Sequence, residues 1–394
     1  MGELYYTNRN FRYSEAQEKW RGVMYHYGAD GKRHYKTKTF KPDGKRAAYA
    51  DYLAWCDKEE EEAQRKQWQS GAANAAELLI PDYVSSYIQA KEATKAIEAS
   101  TIKGYETSLR YIREEFASVA VKDLQAKAVE EWLSKLTKRG YSSSTVGKAY
   151  RLLKQVLSDA VNNGAIMRNP LATVKPPKRC NKKHGINALD ADARAEMLGK
   201  FEALELTPTL IGAYLSLYAG LRRGEVCGLQ WRDLDETNGV IWIKRAIGEG
   251  KGGAYTKQPK TDKIRDVSLP PSLLAVLLHW KVKQREEFAS NMASLRGDSY
   301  IIGDALGYYS PTRLTKEWNS IAKLLGVRGV EGRLPTFHDL RHTWATMFIA
   351  AGGDVKTAAS NLGHANAAMT LNIYASADPD AKRRAAEITE KAMR

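Results

Sequence analysis

Cysteine is scarce in this chain and long apolar runs are missing, so several classes of protein can be set aside. Only 3 cysteines occur among 394 residues, and their scattered positions form neither a metal-ligand pattern nor a disulfide framework. No stretch reaches the roughly 18 apolar residues that span a bilayer, and the first residues lack the apolar run of a secretory signal. The sequence therefore predicts a cytoplasmic protein with no membrane partner.

Acidic side chains are also few in comparison with basic ones. The chain has 61 lysine and arginine residues against 46 aspartate and glutamate residues, which gives a formal net charge of +15. A surplus of this kind favours a polyanion as partner, although ribosomal and membrane-surface proteins share it. The apolar fraction of 43% is enough to build real cores, and the length predicts two or three domains.

Residues 1–66 form a small basic and aromatic unit. Alternation of period two predicts strands at Trp20–Tyr27 and Arg33–Phe40, and a helix follows over Ala47–Lys66. Three cationic side chains share one face of the second strand: His34, Lys36 and Lys38. Such a row suits entry into a DNA groove or contact with phosphates. The alternative is a solvated face kept basic for solubility.

A second, helical unit is predicted over residues 78–174, after a polar stretch at 67–76 that we interpret as a linker. Helical spacing of apolar residues marks three helices, starting near Ser100, Leu124 and Ser142. Lys148 and Arg151 project from the last of these helices and are candidates for DNA contact. An ordinary helical bundle with basic edges explains them equally well.

The clearest boundary is the segment Lys175–Gly185, where prolines resist helix formation. Its cations, which include Lys178 and Arg179, suit a strap that crosses DNA. Residues 186–394 are predicted to form one mostly helical domain. Two β-like segments interrupt it: Val240–Ala246 and Thr256–Leu269. The predicted fold class is mainly α with small β elements, an α+β chain of three domains.

The last third of the chain, together with an arginine upstream of it, carries the groups needed to attack a phosphodiester without a metal. Attack places extra negative charge on the non-bridging oxygens, and the planar fork of arginine suits them. Arg222 stands in Gly-Leu-Arg-Arg-Gly-Glu, and Arg341 stands three residues after His338, on the same face if the segment is helical. His364 follows in a Leu-Gly-His turn, and Tyr374, ten residues later, offers a hydroxyl nucleophile.

Two further patterns leave alternatives open. Lys260 lies between two predicted strands, from where it could protonate a departing 5′ oxygen. Nearby cations have an equal claim on spacing alone: Lys257, Lys263 and Arg265. His338 and His342 have the spacing of zinc ligands on a helix. Asp339 occupies the position where a zinc hydrolase needs glutamate, so no metal is predicted.

Together these motifs resemble the tyrosine recombinase family and, within it, the phage lambda integrase-like group. The family's order of arginine, lysine, His-x-x-Arg, histidine or tryptophan, and tyrosine falls on Arg222, Lys260, His338, Arg341, His364 and Tyr374. Glu225 matches the acidic residue that the family places three positions after its first arginine. Residues 1–66 resemble, more weakly, the three-stranded arm-binding domain of integrases from phages and conjugative transposons.

The resemblance implies a site-specific integrase that uses no cofactor or metal and acts on the core and arm sites of double-stranded DNA. Tyr374 would attack the scissile phosphate to give a 3′-phosphotyrosyl link, with Lys260 as acid and His338 as base. The two arginines and His364 would stabilise the transition state, and Glu225 would orient its neighbours. A homotetramer on synapsed DNA would exchange strands through a Holliday junction in the nucleoid of a bacterial host. A need for DNA-bending or directionality factors stays open.

Three other functions compete with this interpretation. A type IB topoisomerase shares the catalytic groups, and a recombinase that resolves chromosome dimers shares the whole mechanism. The basic amino-terminal unit argues against both, because they would not need it. A non-catalytic DNA-binding regulator would explain the charge but would have no use for the complete catalytic set.

Overall fold

The computed structural model describes most of the chain. The chain divides into two compact units. One unit comprises Met1–Ile97 with Gly104–Cys180, and the other comprises Glu98–Lys103 with Asn181–Arg394. The structure describes these residues: 4–15, 18–27, 33–41, 44–176, 185–258, 264–364, 390 and 393. In the described part, no helix combines the length and apolarity needed to cross a membrane.

An antiparallel sheet of order β1-β2-β3 opens the first unit. Its strands are β1 (Leu4–Ser14), β2 (Lys19–Tyr27) and β3 (Arg33–Phe40). The last two match the strands predicted from alternation, whereas β1 was not found from its pattern. One face of the sheet packs on a helix, where Met24 and Phe40 are buried together with Tyr52. The Tyr52 hydroxyl donates to the backbone carbonyl of Val23 at 2.9 Å.

That helix, α1 (Lys45–Glu77), is longer than the sequence predicts. It continues through residues 67–76, so our interpretation of this stretch as a linker was wrong. The stretch is polar, but it is rich in alanine and glutamine, and both residues favour helix more strongly than most others. The polar composition of this stretch suggested a linker, whereas its residues favour a helical backbone.

Four further helices follow, in agreement with the predicted helical region, and all of them lie in the first unit except residues 99–103 at the start of the second of these helices, which are grouped with the second unit. They are α2 (Ile80–Ala93), α3 (Ala99–Phe116), α4 (Ala126–Lys138) and α5 (Ser143–Asn162). Ser142 caps α5, since its hydroxyl accepts from the backbone N–H of Thr145 at 3.2 Å. The side chains predicted to face inward from α4 and α5 are buried: Val129, Trp132, Leu133, Val146, Ala149, Leu153, Val156 and Ala160.

The second unit is mostly helical in its described part and has a large apolar core, with a smaller apolar cluster between the helices Phe337–Ala350 and Val355–Leu362. Its helices are α6 (Ala191–Glu202), α7 (Pro208–Ala219), α8 (Arg223–Gly228), α9 (Pro271–Ser290), α10 (Pro311–Leu325), α11 (Phe337–Ala350) and α12 (Val355–Leu362). Almost every residue of α7 is buried, as its uniformly apolar sequence requires. Large side chains from α6, α9 and α10 pack in the same core, among them Phe201, Trp280 and Trp318.

The β-like interruption consists of more strands than the sequence predicted. A three-stranded sheet has the order β4-β5-β8, and a separate hairpin joins β6 to β7. The strands are β4 (Leu234–Asp235), β5 (Val240–Ile243), β6 (Ala246–Gly250), β7 (Gly253–Lys257) and β8 (Arg265–Ser268), and a further small hairpin joins β9 (Gly303–Asp304) to β10 (Gly307–Tyr308). The predicted strand Val240–Ala246 is thus divided between two sheets.

Candidate active site

Arg222 stands at the junction between the buried helix α7 and the short helix α8. Its backbone N–H donates to Glu225 Oε2 at 2.9 Å, and its Nη1 donates to Glu225 Oε1 at 3.0 Å. The carboxylate therefore caps the first turn of α8 and holds the arginine at the same time. The spacing of three residues in Gly-Leu-Arg-Arg-Gly-Glu has this geometric basis, because N-cap and N3 face each other at a helix start.

A second arginine reaches Glu225 from the sheet. Arg265, the first residue of β8, donates from Nη1 to Oε1 at 3.1 Å and from Nη2 to Oε2 at 2.8 Å. Burial alone would raise the pKa of the Glu225 carboxyl, but the hydrogen bonds and charge of Arg265, with the charge of Arg222, hold that pKa below its usual range. Glu225 is therefore a buried carboxylate that stays charged.

Arg341 extends from α11 into the interior. The helix begins with a reciprocal cap in which Thr336 and Asp339 bond to each other's backbone N–H. The cap engages the carboxylate of Asp339, which follows His338 in the zinc-like spacing of His338 and His342. The Arg341 side chain is 2% exposed, and its Nη1 donates to the Gly220 carbonyl at 2.6 Å. Burial and the charge of Arg222 lower the pKa of Arg341 to about 9, which leaves the guanidinium charged at neutral pH.

The carboxyl end of α12 gathers all three arginines. Arg265 Nε donates to the Asn361 carbonyl at 2.8 Å. Arg341 Nη2 donates to the Leu362 carbonyl at 2.7 Å, and Arg222 Nη2 donates to the Gly363 carbonyl at 2.9 Å. The last carbonyls of a helix lack partners within it and carry partial negative charge. Three cations from separate parts of the sequence satisfy them here.

His364 follows directly on this helix end. Its Nε2 lies 2.9 Å from Arg341 Nη2. Because a guanidinium can only donate, Nε2 accepts and the proton of the neutral ring lies on Nδ1. Burial, and then the charges of Arg341 and Arg222, lower the pKa of His364 to about 4. The ring is therefore neutral at pH 7, and it lies beside the arginine cluster.

His338 lies at the start of α11 and is more accessible than Arg341. Its ring meets the ring of His342 edge to face, with centroids 4.5 Å apart. Burial, the charge of His342 and the charge of Arg341 lower the pKa of His338 to about 4. The side chain nevertheless keeps an exposed surface. In the described part of the chain, no three histidine, cysteine, aspartate or glutamate side chains could hold a metal ion together.

The structure thus joins four of the predicted residues by hydrogen bonds: Arg222, Glu225, Arg341 and His364. Lys260 and Tyr374 lie outside the described residues. Arg265 entered the sequence analysis only as a rival of Lys260. Its one sequence signal is its place as a lone arginine before the alternating Asp-Val-Ser-Leu, which was too weak to single it out.

The comparisons with known proteins agree with this geometry. The model of the phage integrase family matches residues 207–380, and the model of the phage integrase SAM-like domain matches residues 79–178. The chain belongs to the phage integrase family of tyrosine recombinases. Its activity is the site-specific cutting and rejoining of DNA.

Relatives of this integrase-family chain come from bacteria and their mobile elements. It is 28% identical over 354 residues to a XerC-like tyrosine recombinase of Caldanaerobacter subterraneus, covering 84% of this chain and 88% of the relative. It is 24% identical to the ICEBs1 integrase of Bacillus subtilis, covering 83% of this chain and 87% of that protein.

Solved structures share the integrase fold. The Tn1549 transposon integrase, in complex with a circular intermediate DNA, matches with a TM-score of 0.64 and 21% identity, over 79% of this chain and 99% of that one. A lambda integrase dimer bound to a core site matches with a TM-score of 0.58 and 16% identity, over 94% and 95% of the two chains. At these identities the likeness concerns the fold.

The predicted DNA-contacting residues have different surroundings. Lys36 pairs with Glu59 of α1 at 2.5 Å, and Lys38 lies over the Phe40 ring, 5.7 Å from its centroid. The cation row therefore lies on the sheet face that α1 covers, whereas we expected an open face; of His34, only the backbone in β3 is described. Lys148 and Arg151 are exposed on α5, and Lys178 and Arg179 lie outside the described residues.

Proposed function

We propose that the cluster around Glu225 is the phosphate-binding half of the recombinase active site. Three guanidinium groups and one carboxylate leave a net charge of +2, and the two nearby histidines are neutral. A phosphodiester carries one negative charge, and the pentacovalent transition state carries about two. This fixed positive cluster, pinned to the end of α12, is the observation that carries the proposal, because it needs no rearrangement as the charge develops.

The remaining steps fall to residues that the family resemblance names. Tyr374 Oη forms a bond to phosphorus while the bond from phosphorus to the 5′ oxygen breaks, giving a 3′-phosphotyrosyl link. Lys260 gives its proton to the departing 5′ oxygen, and His338 accepts the tyrosine proton. His338 is suited to acceptance because its lowered pKa keeps the ring unprotonated at neutral pH. Attack by a 5′ hydroxyl then reverses these steps and rejoins the strand.

We infer that the chain is the integrase of a mobile element and acts as a homotetramer. Its relatives include the ICEBs1 integrase and a prophage phiRv2 integrase of Mycobacterium tuberculosis. The fold likeness extends to a lambda integrase tetramer bound to a Holliday junction, with a TM-score of 0.57. Strand exchange between two sites needs four active sites, which supports a tetramer. DNA-bending and directionality factors stay predictions.

The amino-terminal sheet supports a separate contact with arm-type DNA. We propose three domains, of which the first, predicted at residues 1–66, extends with α1 to Glu77, and the others lie at about 78–174 and 186–394. The face opposite α1 carries Arg12 and Arg21, which are paired across β1 and β2, and Tyr35, whose side chain is largely exposed. A two- or three-stranded sheet fits the major groove. We propose this open face, instead of the cation row on the α1 side, as the arm-binding surface.

Resolution of chromosome dimers is the second candidate function. The relative with the XerC-like name favours it, since it covers most of both chains. The three-stranded sheet favours the mobile-element integrase, because a recombinase that acts only at core sites has no need of a further DNA-binding surface. Recombination assays with and without arm sites distinguish the two functions.

Covalent trapping tests the proposed chemistry. A nicked suicide duplex carrying the attachment core of the encoding element is incubated in EDTA with wild type, Tyr374→Phe and the control Tyr218→Phe. We expect a denaturation-resistant adduct in wild type and in the control, and none in Tyr374→Phe. Tyr218 is a suitable control because it packs beside Tyr214 within the second unit. An adduct in Tyr374→Phe would exclude this tyrosine as the nucleophile, and no adduct from bound wild-type protein would contradict the proposed function.

A further inference from the structure

Arg265 is the one arginine of the cluster to which the family pattern gives no part. Its side chain is 9% exposed, and all three of its guanidinium nitrogens are engaged. The two Nη atoms bind both oxygens of Glu225, and Nε binds the Asn361 carbonyl. This is a bidentate pair with a third, differently directed bond, a geometry that only arginine can provide.

These bonds determine the position of two other site elements. Each oxygen of Glu225 accepts one bond from Arg265 and one from Arg222, whose donors are Nη1 and the backbone N–H. Without Arg265, a nearly fully buried carboxylate would lose its bidentate partner, and it would draw Arg222 towards itself or take up a proton. Either change would alter the position or the charge of the phosphate-binding arginine.

The second element is the end of α12. Gly363 has a φ of +59°, and a Cβ there would lie 2.9 Å from Arg265 Nη1 and 3.3 Å from Arg222 Nη1. Arg265 is thus packed directly against the turn that leads into His364. Its bond to the Asn361 carbonyl fixes the same turn from which Arg341 and Arg222 take their own carbonyl partners.

We propose that Arg265 is a positioning residue for DNA cleavage, which holds Glu225 and the carboxyl end of α12 so that Arg222, Arg341 and His364 converge on one phosphate. This inference rests on the proposed function of the cluster. Arg265 is buried, and its three guanidinium nitrogens all donate to protein acceptors, so we expect it to act on the phosphate through these partners and not by direct contact with DNA. Its loss should therefore slow the chemical step and leave DNA affinity almost unchanged.

A matched ion pair elsewhere in the second unit provides the control. Arg245 is 16% exposed at its side chain and pairs with Asp233, a carboxylate as buried as Glu225, and its other described partner is the Gly228 carbonyl. Arg245→Gln and Arg265→Gln should both lower the melting temperature, because each removes the arginine that binds both oxygens of a buried carboxylate and leaves that carboxylate one weaker cationic partner, Lys244 or Arg222. Only the change at Arg265 should slow cleavage at a temperature where all variants are folded.

The experiment measures the first-order rate of adduct formation on the suicide duplex at saturating protein, with DNA affinity and melting temperature measured in parallel. We expect Arg265→Gln to slow cleavage about 100-fold and Arg265→Lys about 10-fold, since lysine restores charge but not the bidentate geometry. The double variant Arg265→Gln with Glu225→Gln should be no slower than the slower single variant, because the two residues act as a unit.

Cleavage by Arg265→Gln, or by Arg265→Lys if the glutamine variant does not fold, at the wild-type rate would overturn the inference. So would additive losses in the double variant, which would mean that Arg265 acts independently of Glu225. An equal slowing by Arg245→Gln would also overturn it, because the effect would then follow from the general loss of a buried ion pair. A wild-type protein that binds the duplex without forming an adduct would instead overturn the proposed function, and this inference with it. The wild-type arm thus separates the two failures.

Discussion

At the scale of single residues, the arrangement of the site follows from one buried carboxylate. Glu225 is charged in a place where burial opposes charge, and it stays charged because Arg265 and Arg222 donate to it. A buried pair of this kind stabilises the fold weakly in net terms, because desolvation offsets the attraction. Its effect is to fix the orientation of the two guanidinium groups. The N–H groups of Arg222 that do not donate to Glu225 or to the Gly363 carbonyl can bind a phosphate.

Gly363 is the residue where this arrangement leaves no room. It ends α12 in the left-handed region, and a methyl group there would press on Arg265 and Arg222. Gly363→Ala is expected to cost about 1–2 kcal/mol of stability for the backbone conformation and to abolish most cleavage by displacing both guanidinium groups. The control is Gly326→Ala at the end of α10, which has a φ of +70° and no atom within 4 Å of the added methyl.

Melting temperatures and adduct rates of the two alanine variants are compared under the same conditions. Similar losses of stability are expected, with normal cleavage by Gly326→Ala. If Gly363→Ala cleaved as fast as Gly326→Ala, the contact between α12 and the arginines would have no part in the reaction.

Sequence motifs identified Arg222, Glu225, Arg341 and His364, because each residue lies at a helix end or on a helix face. Such positions produce a fixed spacing between residues that are near in sequence. Arg265 could not be found in this way, since it is one of several cations in the stretch of sequence from the end of β7 to the first residue of β8. What distinguishes it is a contact with Glu225, 40 residues away in the sequence, and another with α12. Contacts of this kind depend on packing, which spacing does not encode.

At the scale of elements, prediction succeeded where one periodicity ran without interruption. Helices α4 and α5 have regular apolar stripes, and β2 and β3 alternate cleanly. Strand β1 was missed because its register shifts between Tyr6 and Arg9, which breaks the alternation. The same limit explains why Val240–Ala246 was predicted as one strand, since residues 244 and 245 carry the chain from one sheet to another.

The packing of the amino-terminal sheet on α1 can be tested at Gly22. A Cβ at this position would meet the ring of Tyr52 and lie 3.0 Å from Phe40. Gly22→Ala is expected to destabilise the sheet by about 1–3 kcal/mol, as overpacking does, and to weaken binding of arm-site DNA without slowing cleavage at core sites. Fluorescence anisotropy with an arm-site duplex and the suicide assay measure the two effects.

Gly104→Ala serves as the control for this substitution. The glycine lies within α3 and has no atom within 4 Å of an added methyl, so alanine should raise stability by roughly 0.5–1 kcal/mol. Equal arm-site affinity in Gly22→Ala and Gly104→Ala would contradict the idea that the packed sheet is the arm-binding surface.

At the scale of the whole molecule, the excess of positive charge is spread over parts with different tasks. The formal charge of +15 cannot come from the catalytic cluster, whose net charge is small. Exposed cations on α5 and on the open face of the sheet contribute to it, and contacts of such cations with phosphates make DNA affinity dependent on salt. Affinity and catalysis are therefore expected to be separable, because different residues supply them.

Removal of residues 1–77 tests this separation most directly. The cut follows Glu77 because α1 continues to that residue, whereas a cut after Lys66 would divide the helix. The shortened protein is expected to form the phosphotyrosyl adduct on core DNA and to lose integration that requires arm sites. A variant of the undivided chain with Arg12→Gln and Arg21→Gln should reproduce the loss of integration while keeping the sheet and α1.

Full integration by the shortened protein would exclude an arm-binding role for the sheet. Loss of core cleavage would mean that the sheet and α1 are needed for the catalytic step itself.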